Sequence, residues 1–386
     1  MFMKQKYIDY CIEVRRQIHM YPETGYDIDN TINLISNELD KLGIKYYKNI
    51  GISSLVAVLE GKGSGPVIGF RADVDALDIE EQNEFSYKSK IKGKMHACGH
   101  DAHGAILLTT LKYLVEENVE FNGTIKAVFQ AAEEGPTAGG KKVCEDELMK
   151  DVNVFFAVHL SPEYDTGVIR LKAGEFNASC DDFKIKMIGK SGHAAYPHLA
   201  IDPIQMANEV YMQIQTMKAR KLDQTEKAVI SVCVIEAGSA NNIIPDYCVM
   251  KGTVRTYNKE LKKIIYKEID KICKTVASLH DGSYELIYTD ECIPLINSKE
   301  DVEILEEIVV NELGKEFLLK NETYSMGVDD FAYYTDLAKG VMFNLGTRNE
   351  KNNQIASLHN SKFNPDENAF VNGVIMYLGI IKKYCK

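Results

Sequence analysis

The sequence predicts an α/β fold, in which a mostly parallel sheet covered on both faces carries a second, inserted domain. Short and nearly continuous apolar runs alternate with amphipathic segments of helical period through the first half of the chain, as in sheets with helices on both sides. Near Phe176 this pattern gives way to a βαββαβ order over about 115 residues, a length typical of one small domain. From Ser298 the first pattern resumes, so we expect the first domain to be interrupted by the second.

Composition excludes several classes of protein. The chain has 386 residues, of which 45% are hydrophobic, so it is long enough for two domains with substantial cores. A net charge of −11 with scattered Lys and Arg provides no basic surface for nucleic acid. The first thirty residues contain no unbroken apolar run, which predicts neither a signal peptide nor a membrane anchor and hence a cytoplasmic protein. Nine cysteines at irregular spacing do not indicate a disulfide framework.

The first helices and strands are predicted from periodicity and from the turn residues between them. Two amphipathic helices are expected, at 8–20 and 27–42. Two apolar strands at 55–59 and 67–71 flank the glycine-rich stretch 61–66. Because that stretch lacks the Lys-Ser/Thr ending of a phosphate loop, we interpret it as the turn of a β-hairpin.

Polar side chains of metal-ligand type follow three predicted strands. Asp73 and Asp75 follow the strand at 67–71, Glu133 and Glu134 follow one at 124–130, and His159 follows one at 154–158. Ligands of open α/β sheets bind beyond the carboxyl ends of parallel strands, so we expect these side chains to converge. Adjacent glutamates can divide the work there, one binding an ion and the other taking a proton from water. For each side chain alone, the alternative is a solvated strand end.

The densest group of such side chains lies between His96 and His103, in the sequence HACGHDAH. Three imidazoles, one thiol and one carboxylate within eight residues are typical of a site for Zn²⁺, Mn²⁺ or Co²⁺. Cys98 and His100 lie two residues apart, and Gly99 between them carries no side chain that would crowd an ion. The alternative is a buried cysteine beside unrelated surface histidines.

The inserted domain is predicted to be ferredoxin-like, with boundaries at 178–292, so that 1–177 and 293–386 form the interrupted first domain. Its strands and helices are expected at 182–188, 202–217, 228–237, 248–255, 259–279 and 284–289. Two of its loops carry polar groups in glycine or proline settings, at His193 and Asn242. Such loops can hang over a neighbouring binding site, although plain surface is the alternative for a loop histidine.

The first domain is expected to resume with a helix at 298–313, a strand at 340–344 and a helix at 367–384. A helical piece is expected around 329–334, before that strand. His359 lies in the loop before the last helix. It is a candidate for a further metal ligand, far in sequence from the others.

These motifs resemble those of the metallo-amidohydrolases that include bacterial aminoacylases, hippurate hydrolases and plant auxin-conjugate hydrolases. The resemblance covers essentially the whole chain. It is carried by the segments 95–103, 131–135, 189–198, 242–246 and 252–255, by His159 and by Leu358 and His359. It implies a metallopeptidase-like catalytic domain with an inserted domain that serves for dimerisation or as a lid.

The resemblance also implies which residues act. Two divalent metal ions per subunit, Zn²⁺ or Mn²⁺ and alternatively Co²⁺ or Ni²⁺, would have the ligands Cys98, His100, Glu134, His159 and His359. Glu133 would be the general base, and His193 would reach the substrate carbonyl from the inserted domain, across a homodimer. Arg255 and Asn242 are candidates for substrate binding. A guanidinium can clamp a carboxylate, with a structural salt bridge as the alternative role. Asp73 is a further candidate, placed to reach a metal or to orient a ligand.

The function that the resemblance implies is hydrolysis of the amide bond of a small N-acyl amino acid, with an acetyl or aromatic acyl group. The alternatives among enzymes are an N-acetyl-diaminopimelate deacetylase of lysine biosynthesis and a dipeptidase. The alternative from another class is a catalytically inactive metal-binding or dimerisation protein on the same fold. The intact Glu133 beside Glu134 argues against that alternative.

Overall fold

The computed structural model describes residues 3–135, 137–320 and 323–386, and it divides the chain into two compact units. Unit 1 contains the described residues of Met1–Phe176, Ile296–Thr323 and Asp329–Lys386, and unit 2 contains Asn177–Leu295 and Tyr324–Val328. The insertion predicted at 178–292 lies within unit 2, to which the structure adds the short segment 324–328. Its role as a dimerisation or lid domain stays a prediction.

Both units contain β-strands and α-helices. The strands are β1 (Lys45–Ile50), β2 (Ser54–Glu60), β3 (Val67–Asp73), β4 (Thr124–Gln130), β5 (Val154–Asp165), β6 (Ile169–Leu171), β7 (Gly174–Asn177), β8 (Cys180–Ile188), β9 (Gly192–His193), β10 (Ala228–Ala237), β11 (Ile243–Ile244), β12 (Tyr247–Thr256), β13 (Ser283–Cys292), β14 (Leu295–Asn297), β15 (Leu318–Lys320) and β16 (Lys339–Arg348). The helices are α1 (Gln5–Met20), α2 (Asp29–Leu42), α3 (His100–Glu116), α4 (Gly139–Glu145), α5 (Pro203–Arg220), α6 (Lys259–Leu279), α7 (Lys299–Ile308), α8 (Ala332–Leu337) and α9 (Phe370–Tyr384).

Unit 1 is built on one large sheet with the strand order β1-β2-β4-β3-β5-β16-β6-β15. Its central strands β4, β3, β5 and β16 run parallel, which confirms the predicted α/β class with a mostly parallel sheet. Phe156 in β5 is buried in the main core, to which helices α1, α2, α3, α7 and α9 contribute. Its neighbour Phe155 faces the other side of the sheet, where its ring packs against Tyr334 of α8. Both faces of the sheet are therefore covered.

The predicted hairpin between β2 and β3 is wrong. Strand β4 lies between them, antiparallel to β2 and parallel to β3. The connection 61–66 crosses over the start of β4, where the N–H of Gly61 donates to the carbonyl of Gly123 and the N–H of Lys62 to that of Phe121. Six residues are enough to span the two strand spacings, about 10 Å, that separate β2 from β3. The local turn signal was correct, but it did not determine which strand would pair with β2.

Unit 2 has a four-stranded sheet in the order β10-β12-β8-β13, with every neighbouring pair antiparallel. The chain order is βαββαβ, as predicted. Helices α5 and α6 pack on one face through Ile214 and Ile265, which are both fully buried. Helix α5 begins after Asp202, whose side chain accepts hydrogen bonds from two N–H groups of the first turn, and Asn258 does the same for α6.

No helix among the described residues combines the length and the apolar character that crossing a bilayer requires. The cytoplasmic location expected from the sequence stays a prediction.

Gly69 provides a test of the packing between β3 and β5. A Cβ atom at this position would lie 2.2 Å from Cδ1 of Phe155, inside a close-packed sheet face. We expect Gly69→Ala to lower the free energy of unfolding by about 1–3 kcal/mol, measured by urea denaturation with circular dichroism. As a control, a Cβ atom at Gly327 would approach the Ser325 hydroxyl at 3.0 Å, so Gly327→Ala should change stability by about 0.5 kcal/mol or less. Equal losses in both variants would contradict the packing argument.

Candidate metal centre

The candidate centre lies at the carboxyl ends of the parallel strands β4 and β3 and beside the middle of their neighbour β5 in unit 1. Asp73 is the last residue of β3 and lies opposite Gln130, the last residue of β4. Glu133 and Glu134 lie three and four residues after the end of β4. His159, predicted to follow a strand at 154–158, lies within β5, which continues to Asp165. The structure thus brings these strand ends to one edge of the sheet, where open α/β sheets bind their ligands.

A tight turn at Gly99 leads into helix α3 and shapes the centre. Gly99 has a φ of 87°, and a Cβ atom there would lie 2.8 Å from Cδ1 of Leu160. Glycine is the residue that suits both this dihedral angle and this space. Near the same turn, the N–H of His359 donates to the carbonyl of Ala97 at 2.9 Å. That hydrogen bond brings the C-terminal loop to the start of α3.

The five predicted ligands occur in overlapping groups whose donor atoms lie within 4.8 Å of one another. These groups are Cys98, His100 and His159; Cys98, Glu134 and His359; and His100, Glu133 and Glu134. The Sγ of Cys98 is 3.6 Å from Nε2 of His159, and Oε1 of Glu134 is 2.9 Å from Nε2 of His359. Because the groups share members, they form one cluster. His96 is buried but belongs to none of the donor groups that the described residues form.

The imidazole rings of the cluster are oriented by backbone carbonyls. Nδ1 of His100 donates to the carbonyl of Asp75 at 3.0 Å, and Nδ1 of His159 donates to that of Leu160 at 2.7 Å. A neutral ring with its proton on Nδ1 presents the lone pair of Nε2 to the centre. Nε2 of His100 is buried and finds no hydrogen-bond partner among the described residues. An orphaned buried nitrogen beside a thiol and carboxylates fits a divalent metal ion.

The charges around the cluster favour a cation. Burial lowers the pKa of His100, but the Asp73 carboxylate and the Cys98 thiolate outweigh burial and raise this pKa well above its usual value. Burial raises the pKa of the Cys98 thiol, against the opposing effect of His100. A thiolate therefore needs a positive charge beside it here. Protons and a metal ion would compete for the same donor atoms.

The adjacent glutamates differ in their surroundings. The Asp75 carboxylate accepts the N–H of Glu133 at 3.2 Å and the N–H of Glu134 at 3.0 Å, and Ala132 before them has a φ of 57°. Burial, with the negative charges of Asp329 and Glu134, raises the pKa of Glu133 well above its usual value. Burial also raises the pKa of Glu134, but its contact with His359 and the charge of His100 bring the net pKa below the usual value. One carboxyl group is therefore set to hold a proton and the other to be ionised.

Asp73 lies at the base of the cluster and is fully buried. Its carboxylate accepts hydrogen bonds from Nη1 of Arg71 at 2.6 Å and from Nδ1 of His103 at 2.5 Å, and it lies 3.6 Å from Nε2 of His100. Burial raises the pKa of Asp73, but Arg71 and the two imidazoles outweigh burial and hold it well below its usual value. This position suits a residue that orients its neighbours and does not suit one that contacts substrate.

Sequence reasoning missed the polar partners that surround Arg71. The guanidinium also donates to Gln130 at 2.9 Å and to Asp330 at 2.6 Å, and it lies 3.3 Å from Asp329. Burial raises the pKa of Asp330 to about 6. The sequence did indicate that Arg71 needs polar partners, because it is a charged residue that ends an apolar run. Its partners lie too far away along the chain to be inferred from that run.

A second buried network, also missed, supports the start of α3. Asp101 follows His100 directly, forms an ion pair with Arg15, whose Nε lies 2.8 Å from Oδ2, and accepts a hydrogen bond from Nδ1 of His19 at 2.7 Å. Nε2 of His19 lies 3.2 Å from Oε1 of Glu81. The sequence indicated only that Arg15 and His19, which are four residues apart, lie on one face of α1. Their partners could not be read from that spacing.

The remaining predicted site residues, His193, Asn242 and Arg255, lie in unit 2. The paired strands β9 and β11 bring the exposed His193 beside the turn that contains Asn242. Nδ1 of His193 accepts the N–H of Ala195 at 3.1 Å, so the ring proton is on Nε2. Nη1 of Arg255 donates to the carbonyl of Met326 at 3.3 Å.

Comparisons with known proteins agree along the whole chain. Residues 69–383 match the family described as Peptidase family M20/M25/M40. Thermostable carboxypeptidase 1 of Saccharolobus solfataricus is 34% identical over 378 residues, which cover 97% of this chain and 95% of that protein. Hippurate hydrolase of Campylobacter jejuni is 34% identical over 376 residues, covering 97% of this chain and 96% of that protein.

A solved structure shares the fold over its full length. It is the YXEP protein of Bacillus subtilis, described as a dinuclear metal-binding peptidase from the M20 family. The two chains have a TM-score of 0.85 and 29% sequence identity, and the match covers 98% of this chain and 99% of the other. The resemblance found in the motifs is thus confirmed, and the enzyme class that it implied, a hydrolase of amide bonds, is confirmed with it. This chain belongs to peptidase family M20/M25/M40.

Proposed function

We propose that this protein hydrolyses the amide bond of N-acyl amino acids, with two divalent ions bound by Cys98, His100, Glu134, His159 and His359. The names of two relatives support this substrate class. Hippurate is an amino acid with an aromatic acyl group on its nitrogen, and a carboxypeptidase releases the last amino acid of a peptide. In both reactions the leaving group is an α-amino acid with a free carboxylate.

The observation that carries the proposal is the position of Glu133. Its carboxylate lies 4.0 Å from Nε2 of His100 at the edge of the ligand cluster, and the side chain is 11% exposed. Asp329 and Glu134 oppose its ionisation, so it is suited to hold a proton that it has taken up. A protein that only stored metal would have no need of a protonatable carboxyl group beside the ligands.

The chemistry divides between the ions and the chain. Zn²⁺ or Mn²⁺, and alternatively Co²⁺ or Ni²⁺, would supply Lewis acidity that polarises the amide carbonyl and makes water more acidic. Glu133 takes a proton from the attacking water and passes it to the nitrogen of the leaving amino acid. Asp75 accepts hydrogen bonds from the backbone N–H groups of Glu133 and Glu134 and so fixes their position during this transfer. Asp73, whose carboxylate lies 3.6 Å from Nε2 of His100, orients that ring.

Three residues of unit 2 are assigned to the substrate. His193, with its proton on Nε2, is suited to donate a hydrogen bond to the oxyanion of the tetrahedral intermediate. The Arg255 guanidinium can bind the carboxylate of the amino acid in a bidentate pair. Asn242, in the turn beside His193, contributes amide hydrogen bonds to the substrate.

We further propose a symmetric homodimer through unit 2. Strand β10 is an edge of its sheet, and from Ala228 to Ile235 it carries no charged side chain. Ile235 is 55% exposed on this edge. An apolar edge strand without charge or proline tends to pair with another strand, and a twofold axis would join two copies of β10. His193 then acts either on its own subunit or on the partner's substrate.

Hydrolysis of a substrate panel tests the proposed function. Metal-loaded protein should hydrolyse N-acetyl and N-benzoyl amino acids, lose this activity in a chelator, and regain it with Zn²⁺ or Mn²⁺. Release of the amino acid is measured by reaction with ninhydrin. Activity confined to N-acetyl-diaminopimelate or to dipeptides would favour those enzymes instead. Full metal content without any hydrolysis would favour the inactive metal-binding protein.

The two glutamates can be separated by matched substitutions. Glu133→Gln keeps the size of the side chain but removes the base, so kcat should fall by about 10²-fold or more while the metal content stays normal. Glu134→Gln should instead weaken metal binding, because an amide is a poorer ligand than a carboxylate. Metal content is measured by plasma emission spectroscopy after dialysis. If the two variants behave the other way round, the two roles must be exchanged.

Mixing two inactive variants tests the dimer and the side on which His193 acts. Homodimers of His193→Ala and of Glu133→Gln should each be nearly inactive. If His193 acts across the interface, subunit exchange should restore up to about a quarter of wild-type activity, since half of the dimers would then contain one complete site. Exchange is verified with differently tagged chains. No recovery despite exchange would mean action within one chain, and a fully active His193→Ala would remove this residue from the mechanism.

A further inference from the structure

His103 is the third imidazole of the HACGHDAH stretch, and neither the ligand set nor the proposed chemistry uses it. It is fully buried in the first turn of α3. Its ring centroid lies 4.9 Å from that of His159 and 5.4 Å from that of His100. It is therefore packed between two predicted ligands. The question is what its own two ring nitrogens bind.

Both ring nitrogens of His103 are already engaged. The N–H of Leu160 donates to Nε2 at 2.9 Å, so Nε2 is an acceptor and carries no proton. The single proton of the neutral ring is then on Nδ1, which donates to Oδ1 of Asp73 at 2.5 Å. Donor atoms of His103, Asp73 and His100 lie within 4.8 Å of one another, close enough to surround an ion. With both nitrogens of His103 used in this way, that ring has no lone pair left for an ion.

These two hydrogen bonds span a gap in the sheet. Strands β3 and β5 pair in parallel from Ile68 opposite Val154 to Arg71 opposite Ala157, and among the described residues their pairing ends there. On its other side, β3 remains paired with β4 as far as Asp73. Strand β3 ends at Asp73 while β5 continues to Asp165, and the two strands separate just before the centre. Pairing with β16 still holds His159 on the other side of β5, but on the side of β3 the two hydrogen bonds of His103 link the strands.

We propose that His103 is a positioning residue that joins the end of β3 to β5 where the two strands separate, and so sets the affinity of the centre for metal. It connects Asp73, the last residue of β3, to the backbone of Leu160 in β5, the residue after His159. The inference rests on the proposed function, because it assumes that His159 binds metal. Partners that orient metal ligands commonly change metal affinity about 10- to 100-fold when they are removed.

Two substitutions separate the two hydrogen bonds. In His103→Asn, the amide nitrogen can take the place of Nδ1 and donate to Asp73, but nothing reaches Leu160. In His103→Gln, the longer side chain can accept the N–H of Leu160, but no donor remains at the position of Nδ1. We expect each variant to bind Zn²⁺ about 10- to 100-fold more weakly than wild type, measured by chelator competition. The absorption spectrum of the Co²⁺ form should also change, since the ligand geometry changes.

A stability control distinguishes positioning from simple destabilisation. Leu111→Ala removes buried side-chain volume from the same helix α3, at a residue that is 1% exposed and outside the ligand cluster. It should lower the melting temperature of the metal-free protein at least as much as the His103 variants, yet leave Zn²⁺ affinity within threefold of wild type. His103 variants with wild-type affinity and an unchanged Co²⁺ spectrum would overturn the inference. Weakened binding in Leu111→Ala equal to that of the His103 variants would overturn it as well.

A measurement on the wild-type protein covers the case in which the variants fail to fold. The ¹⁵N resonances of His103 should show the Nδ1–H form both with and without Zn²⁺. A change at Nε2 on addition of Zn²⁺ would identify His103 as a ligand and would overturn the inference. Failure of the proposed ligand set is distinguishable, because wild-type protein would then bind neither Zn²⁺ nor Co²⁺ at this centre. Failure of the proposed hydrolysis alone would leave metal binding by the wild-type protein intact.

Discussion

The ion pair between Arg71 and Asp73 is the interaction on which the centre depends. Both side chains are fully buried, and a buried ion pair is stable only when its remaining polar atoms are also satisfied. Gln130 and Asp330 accept hydrogen bonds from the other two guanidinium nitrogens, while His103 donates to the second oxygen of Asp73. The guanidinium thus supplies a fixed positive charge below the centre. It balances the buried carboxylates there, so that those nearer the surface are left for an ion.

Glu133 and Glu134 can take different roles because the backbone turns just before them and their surroundings differ. Ala132 adopts a left-handed φ, which a residue with a side chain rarely does, and Asp75 fixes the following N–H groups. Glu134 is directed to His359, whereas Glu133 lies near Asp329 and Asp330. The asymmetry arises from geometry and local charge, since the chemical nature of the two side chains is identical.

Much of the fold followed from local patterns, and the remainder required contacts between distant residues. Strand β4 and helix α6 occupy their predicted ranges, because apolar runs and helical periodicity are properties of a few consecutive residues. The strand β1 was missed because its sequence KYYKNI has no apolar run and is largely exposed. The hairpin was wrong because pairing depends on β4, which lies far along the chain. The ligand types were visible in the motifs, but the partners of Arg71 and Asp101 come from segments that no local pattern links.

The position of the insertion has a consequence for synthesis on the ribosome. Strand β16 pairs with β5 in the middle of the large sheet, yet the whole of Asn177–Leu295 is translated between them. Nearly all of unit 2 is synthesised before β16 is available to pair with β5. During that interval one edge of β5 is unpaired in the nascent chain. His359 emerges later still. The proposed site for two ions, to which His359 contributes, can therefore be completed only near the end of translation.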